Sequence, residues 1–145
     1  MIQLRLSEIF DAPVERVFAA WCDARQLVVW FKPGEMTVPE ASVDVRPGGL
    51  YRIVMQRPDG TQNIITGEYR EVVENERLRF SWQYEGQPAD TEVLLVFRKL
   101  DERRTELTLV HSSFADEPTR ERHVRGWTSG LEKLRRYLQA IPAKV

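Results

Sequence analysis

The stretch HVRGWTSGLEKLRRYL, residues 123–138, decides how this chain is read. Its apolar residues Val124, Trp127, Leu131, Leu134 and Leu138 are spaced by three, four, three and four, the period of an amphipathic helix. Gly126 and Gly130 lie inside that pattern, and each glycine costs a helix about 1 kcal/mol against alanine. On a helical wheel both flank the apolar stripe, in line with Tyr137. Missing side chains there serve one of two ends. They let the helix approach its neighbour closely, or they leave a hollow beneath it.

The helical pattern extends from about Glu117 to Ala140, roughly 36 Å at the usual rise per residue. From Val43 to Ser112 the period is two. Tyr51, Ile53 and Met55 share a face, as do Leu78, Phe80, Trp82 and Tyr84, then Val93, Leu95 and Phe97, then Leu107, Leu109 and His111. Between these runs fall Pro58-Asp59-Gly60, Glu74-Asn75-Glu76, Gly86-Gln87-Pro88 and Asp101 to Arg104. Connections this short join antiparallel neighbours, because a parallel crossover needs far more chain.

Ahead of the meander, IQLRLSEIF places Ile2, Leu4 and Leu6 on one face of a first strand. In DAPVERVFAAW, Asp11 lies near a helix start, Pro13 suits a first turn, and Glu15 favours the positive end of the helix dipole. Asp23 is placed to cap a short second helix, ARQLVVWF, which Pro33-Gly34 ends. The predicted order is strand, two short helices, a meander of five or six strands, and one long helix. A flat sheet that wide, with so few helices, would leave apolar surface bare. The sheet must therefore curl around the long helix, and such an arch tends to leave space inside. The fold class is α+β, in one domain spanning residues 1–145.

The composition limits the partners. The chain has 21 basic and 22 acidic residues for a net charge of -1, and 42% of its residues are hydrophobic. That balance gives no electrostatic reason to expect nucleic acid or an anionic membrane, and no apolar run approaches the length of a membrane span. The N-terminus lacks the apolar block of a signal peptide. A lone Cys22 has no internal disulfide partner, so the expected location is cytoplasmic. No glycine-rich phosphate loop or G-x-S-x-G is present. No cofactor is expected, and the two histidines and Cys22 show no metal-ligand spacing.

The whole series of segments resembles the START/Bet v-type superfamily (SRPBCC, helix-grip fold), within it the branch named for the activator of heat-shock-protein ATPase. The resemblance rests on DAPVERVFAAW at 11–21, WF at 30–31, DVRPGG at 44–49, PDG at 58–60 and GEYREV at 67–72. It continues through ERLRFSW at 76–82, TELTLVHSSF at 105–114 and the stretch at 123–138. It implies a curved antiparallel sheet gripping the C-terminal helix, with an apolar cavity between them. The superfamily's members include lipid and hormone binders, polyketide cyclases and co-chaperones. The co-chaperones carry a further N-terminal domain that supports chaperone contact, and 145 residues leave no room for one here.

Pockets for small apolar ligands are lined by aromatic groups with a few polar ones, and this chain is rich in large rings. The candidate cavity residues are Trp30, Tyr51, Ile53, Met55, Tyr69, Phe80, Trp82, Tyr84, Leu95, Phe97, Leu109, His111, Phe114, Trp127, Gly130 and Leu131. His111 shares the inward face with Leu107 and Leu109. It is either a core histidine satisfied by a backbone group or a neighbouring tyrosine, or a general acid or base facing a ligand. His123, at the start of the last helix, reads as a partly exposed helix residue. Asp44 and Arg46 suit an ion pair before Pro47-Gly48-Gly49, and Glu68 and Arg70 suit solvent-side charges paired across strands. The charges from Arg120 to Arg136 read as a solvated face, and Cys22 as a packing residue. The leading function is binding of a small hydrophobic or aromatic molecule, by a monomer or homodimer. The rivals are a cyclase- or aromatase-type enzyme using His111, and a stress-related adaptor with a protein partner.

Overall fold

The computed structural model describes residues 2–87 and 91–140. Its elements are β1 (Ile2–Phe10), α1 (Val14–Cys22), α2 (Ala24–Trp30), β2 (Thr37–Val43), β3 (Leu50–Gln56), β4 (Gln62–Val73), β5 (Arg77–Tyr84), β6 (Thr91–Asp101), β7 (Arg104–Phe114) and α3 (Glu117–Ala140). The seven strands form one curved antiparallel sheet in the order β1-β7-β6-β5-β4-β3-β2. Strands β2 to β7 are a six-stranded meander, and β1 joins its far side by pairing with β7. Pro88, within the turn expected at Gly86-Gln87-Pro88, lies outside the described residues.

The six strands of the meander are within the five or six expected, but β2 has no periodic run of its own in the sequence. In β2, TVPEASV, only Val38 is buried, so no two-residue alternation shows. Pro39 also sits in it, where the pairing with β3 shifts register between Thr37 and Glu40. A proline is tolerated there because β2 is an edge strand, with its outer side unpaired.

The concave face carries the alternating residues foreseen from the sequence. Ile65, Leu78, Leu95, Leu107 and Leu109 are fully buried on it, and Leu134 of α3 meets them from the helix. Gly67 of β4 shows how closely the layers pack. A Cβ at this position would lie 2.1 Å from the Ser81 carbonyl oxygen and 2.5 Å from Cε2 of Tyr51. Only hydrogen fits, and the Tyr51 ring crosses the strand to donate its hydroxyl to the Ser81 carbonyl at 2.6 Å.

Helix α3 starts behind Asp116, whose carboxylate accepts from the Thr119 N–H at 2.8 Å. It runs along β1 and β7 and touches α2. Arg120 Nε donates to the Gln3 carbonyl at 2.7 Å, and Arg135 Nη1 donates to the Ile9 carbonyl at 2.8 Å. These two arginines satisfy carbonyls of the edge strand β1 that no neighbouring strand pairs. The Arg135 guanidinium also lies 5.0 Å from the centre of the Phe10 ring. On the other side, Asp23 caps α2 by accepting from the Arg25 N–H at 2.9 Å, and Trp30 Nε1 donates to the Ala20 carbonyl at 2.9 Å. Held against β1, β7 and α2, the last helix leaves the end of the arch near β3, β4 and β5 uncovered.

Candidate functional site

At that end lies an open-mouthed cavity of about 830 Å³. Its walls are the end of α2 and the turn after it, the β3–β4 hairpin, the end of β5, and the first half of α3. From α3 it takes Thr119, Arg122, His123, Gly126, Trp127 and Gly130, which recur at helical spacing and so form one stripe. A Cβ on Gly130 would meet nothing within 4 Å, and one on Gly126 would meet only Pro33 Cβ at 3.8 Å. Both glycines therefore border open space. Of the two readings of these glycines, the hollow is the one the geometry supports.

The inner wall is aromatic. Trp82 and Trp127 lie 5.0 Å apart between ring centres, and Phe31 is 6.1 Å from Trp82 and 5.8 Å from Trp127. Trp30 and Trp21 stack edge-on behind Phe31, 4.7 Å apart. Nε1 of Trp82 is buried and has no hydrogen-bond partner.

His111 stands behind this wall, fully buried. Trp127 Nε1 donates to its Nδ1 at 3.0 Å. An indole N–H can only donate, so Nδ1 is the bare nitrogen and the ring proton sits on Nε2. Nε2 lies 2.6 Å from Thr91 Oγ1, and Thr91 passes its own hydrogen to the Trp82 carbonyl at 3.1 Å. The run Trp127, His111, Thr91, Trp82 carbonyl uses every donor once. Burial, aided by the nearby His123, pushes the imidazole down to about 2, so it stays neutral. With both nitrogens engaged and no opening to the cavity, His111 is a strut that orients Trp127.

His123 does border the cavity. It is half-buried, its Nδ1 donates to the Thr119 carbonyl at 2.8 Å, and its Nε2 lies 2.9 Å from the Tyr84 hydroxyl. The carbonyl can only accept, so Nε2 is bare and Tyr84 donates to it. Burial lowers His123, which keeps that nitrogen free to accept, although the bond to Thr119 works the other way. Burial raises Tyr84, opposed by the close Trp82 N–H and by Arg122 and Arg57.

The mouth is charged. Lys32, Arg57, Arg122 and Arg125 border it together with Glu85, whose two carboxylate oxygens take Arg52 Nε at 3.0 Å and Nη2 at 3.3 Å. Of the sixteen candidate residues, Trp30, Met55, Trp82, Tyr84, Trp127 and Gly130 border the cavity. Tyr51, Ile53, Tyr69, Phe80, Leu95, Phe97, Leu109, His111, Phe114 and Leu131 are buried in the packed core beside it. His123 and the basic rim were not among the candidates. They occupy strand ends, a turn and a helix flank, where no hydrophobic period marks them.

Other expected pairs are present. Arg46 Nε meets Asp44 at 2.9 Å, and Arg70 reaches Glu92 across strands at 4.0 Å. Cys22 is half-buried, and burial pushes its thiol up to about 12. Among the described residues no three His, Cys, Asp or Glu side chains cluster to hold a metal ion. No described helix is long and apolar enough to cross a membrane.

A curved antiparallel sheet gripping one long helix over a lined cavity is the helix-grip architecture. Residues 11–139 match the family model of the activator of Hsp90 ATPase homolog 1-like proteins, and the chain belongs to that family. A crystal structure of the protein AHSA1 (SPO3351) from Silicibacter pomeroyi is similar, with 27% identity, 95% of this chain and 98% of that one covered, and a TM-score of 0.86. Protein CV1439 from Chromobacterium violaceum is 26% identical over 96% of this chain and 98% of its own, with a TM-score of 0.85. CalU16 from Micromonospora echinospora is 26% identical over 95% of this chain and 76% of its own, with a TM-score of 0.72. Among curated proteins none matches.

Proposed function

We propose that the chain acts as one ligand-binding domain that holds a small molecule with an aromatic or otherwise apolar body in the cavity beneath α3. The observation that carries this reading is the open space at Gly130. A helix gives up about 1 kcal/mol at each glycine, and here the sacrifice borders a hollow faced by Trp82 and Trp127. A volume of about 830 Å³ falls in the range of small-molecule sites. The enzyme reading through His111 lacks support, because the imidazole is sealed from the cavity and held neutral. An adaptor role would call for a broad apolar patch. Among the described residues the large exposed apolar side chains, Ile9, Val29 and Leu50, lie singly on β1, α2 and β3.

Titration with the neutral fluorophore N-phenyl-1-naphthylamine tests the proposal. Saturable binding to the native chain, weakened at least tenfold in Gly130→Leu while the variant melts no lower, is the expected result. Equal binding by the variant contradicts it, as does a variant that melts several degrees lower yet still binds.

A further inference from the structure

The polar groups around the cavity are unequally committed. Several of the acceptors are in use. Glu85 is taken by Arg52, Asn63 Oδ1 accepts from Arg57 Nη1 at 3.2 Å, and Ser129 Oγ accepts from the Gly34 N–H at 2.9 Å. The donors are not. Among the described residues Arg57 is held only by the neutral oxygens of Asn63 and Thr61, and Arg122 only by Thr119 Oγ1 at 3.0 Å. Among the described residues no carboxylate lies within 4 Å of the charged groups of Arg57, Arg122 or Arg125. Trp82 Nε1, on a side chain only 6% exposed, makes no hydrogen bond of good geometry and has the Tyr84 hydroxyl as its close neighbour. A buried N–H left without a partner costs about 1–3 kcal/mol; Trp21 Nε1 bears the same cost away from the cavity, whereas Trp82 Nε1 is placed where an occupant's acceptor can reach it.

These donors are not scattered. Arg57 follows the end of β3, Tyr84 closes β5, and Arg122 lies one turn into α3, and both arginines stand close enough to Tyr84 to favour its ionised form. The chain as a whole carries a net charge of -1, yet this mouth gathers four cations against one carboxylate already paired. Arginine presents a planar fork that suits a carboxylate.

We infer that the occupant is an organic anion, a small acid whose apolar or aromatic body lies on Trp82 and Trp127 and whose carboxylate faces Arg57 and Arg122. This rests on the cavity being the binding site. The acid's oxygens supply negatively charged acceptors to these arginines. Its charge is drawn toward the four cations that border the mouth.

Calorimetric titration with 2-naphthoate and with its neutral isostere 2-naphthamide separates the two claims. At pH 7.5 and low salt, the carboxylate is expected to bind at least tenfold more tightly than the amide. Both should be weakened by Gly130→Leu. The preference should shrink toward unity at 0.5 M salt and in the double variant Arg57→Gln/Arg122→Gln. Equal affinities for the two compounds, or a preference that the double variant leaves intact, overturn the inference while the cavity stands. The salt series on the unaltered protein gives the same answer should the double variant fold poorly. Absence of binding by both compounds, or binding indifferent to Gly130→Leu, removes the cavity reading and the inference with it.

Discussion

Acidification should unfold this protein earlier than its surface charges alone would require, and His111 is the reason. In the folded chain the imidazole is pushed down to about 2 by burial, whereas in the unfolded chain it titrates near its ordinary value of about 6.5. The folded state therefore binds no proton there while the unfolded state takes one. Stability is fully present above about pH 6.5 and is lost as pH falls below it, by about 1.4 kcal/mol per pH unit for one proton. Between pH 6.5 and 5 the loss is about 2 kcal/mol from His111. His123, also lowered by burial, adds in the same direction. Asp23, Glu71, Asp101 and Asp116 are lowered too, by their hydrogen bonds, but carboxylates begin to take up protons only at more acidic pH. The window from pH 6.5 to 5 thus isolates the histidines. Denaturant melts at half-unit steps across it, on the native chain and on His111→Gln, provide the assay. The variant should lose about 1–3 kcal/mol at pH 7.5, because Trp127 or Thr91 is left poorly partnered. Its pH slope should then shrink to what His123 leaves, so the two stability curves converge as pH falls. A native stability flat from pH 7 to 5, or an undiminished slope in His111→Gln, would refute the reasoning.

Gly67→Ala should cost about 3 kcal/mol, read by thermal or denaturant melting, because the added methyl meets the Ser81 carbonyl and the Tyr51 ring. Cys22, with its thiol pushed up to about 12, should react with iodoacetamide at pH 8 at least about a hundredfold more slowly in the native protein than in urea. This chain alone should produce no strong stimulation of a heat-shock-protein ATPase. Saturable stimulation at micromolar concentration in a steady-state ATPase assay would show that the fold carries the chaperone contact by itself.

Much of the fold was legible because two periods dominate the sequence. The three-and-four spacing from Val124 to Leu138 placed α3, and the alternation through Tyr51, Phe80, Leu95 and Leu109 placed the concave face. Strand β2 was not legible, since an edge strand that buries only Val38 and carries Pro39 has no period to show. In the site, alternation placed His111 on the inward face, where the structure has it, but its neutral state depends on Trp127 and Thr91, distant in sequence and brought together by folding. The basic mouth was hidden for a different reason. Arg122 and Arg125 read as part of a solvated helix face, and only the pairing of β3 with β4 and the end of β5 shows that Arg57 and Tyr84 stand opposite them. Apolar periodicity reports what is packed. It carries no signal for charges that line an opening.

The account's central claim is that the occupied space lies beneath α3 against the Trp82–Trp127 wall. The most direct measurement is a two-dimensional nitrogen–proton NMR titration with 2-naphthoate, following the indole N–H signals of the four tryptophans and the backbone amides of Gly126 and Gly130. The account predicts that the Trp82 indole, which borders the cavity without a well-aligned partner, shifts most as it gains an acceptor. The signals of Trp127, Gly126 and Gly130 should move with it, and Trp21, which does not border the cavity, should stay nearly still. Shifts spread over the convex face of the sheet, or a Trp82 signal unmoved at saturation, would contradict it.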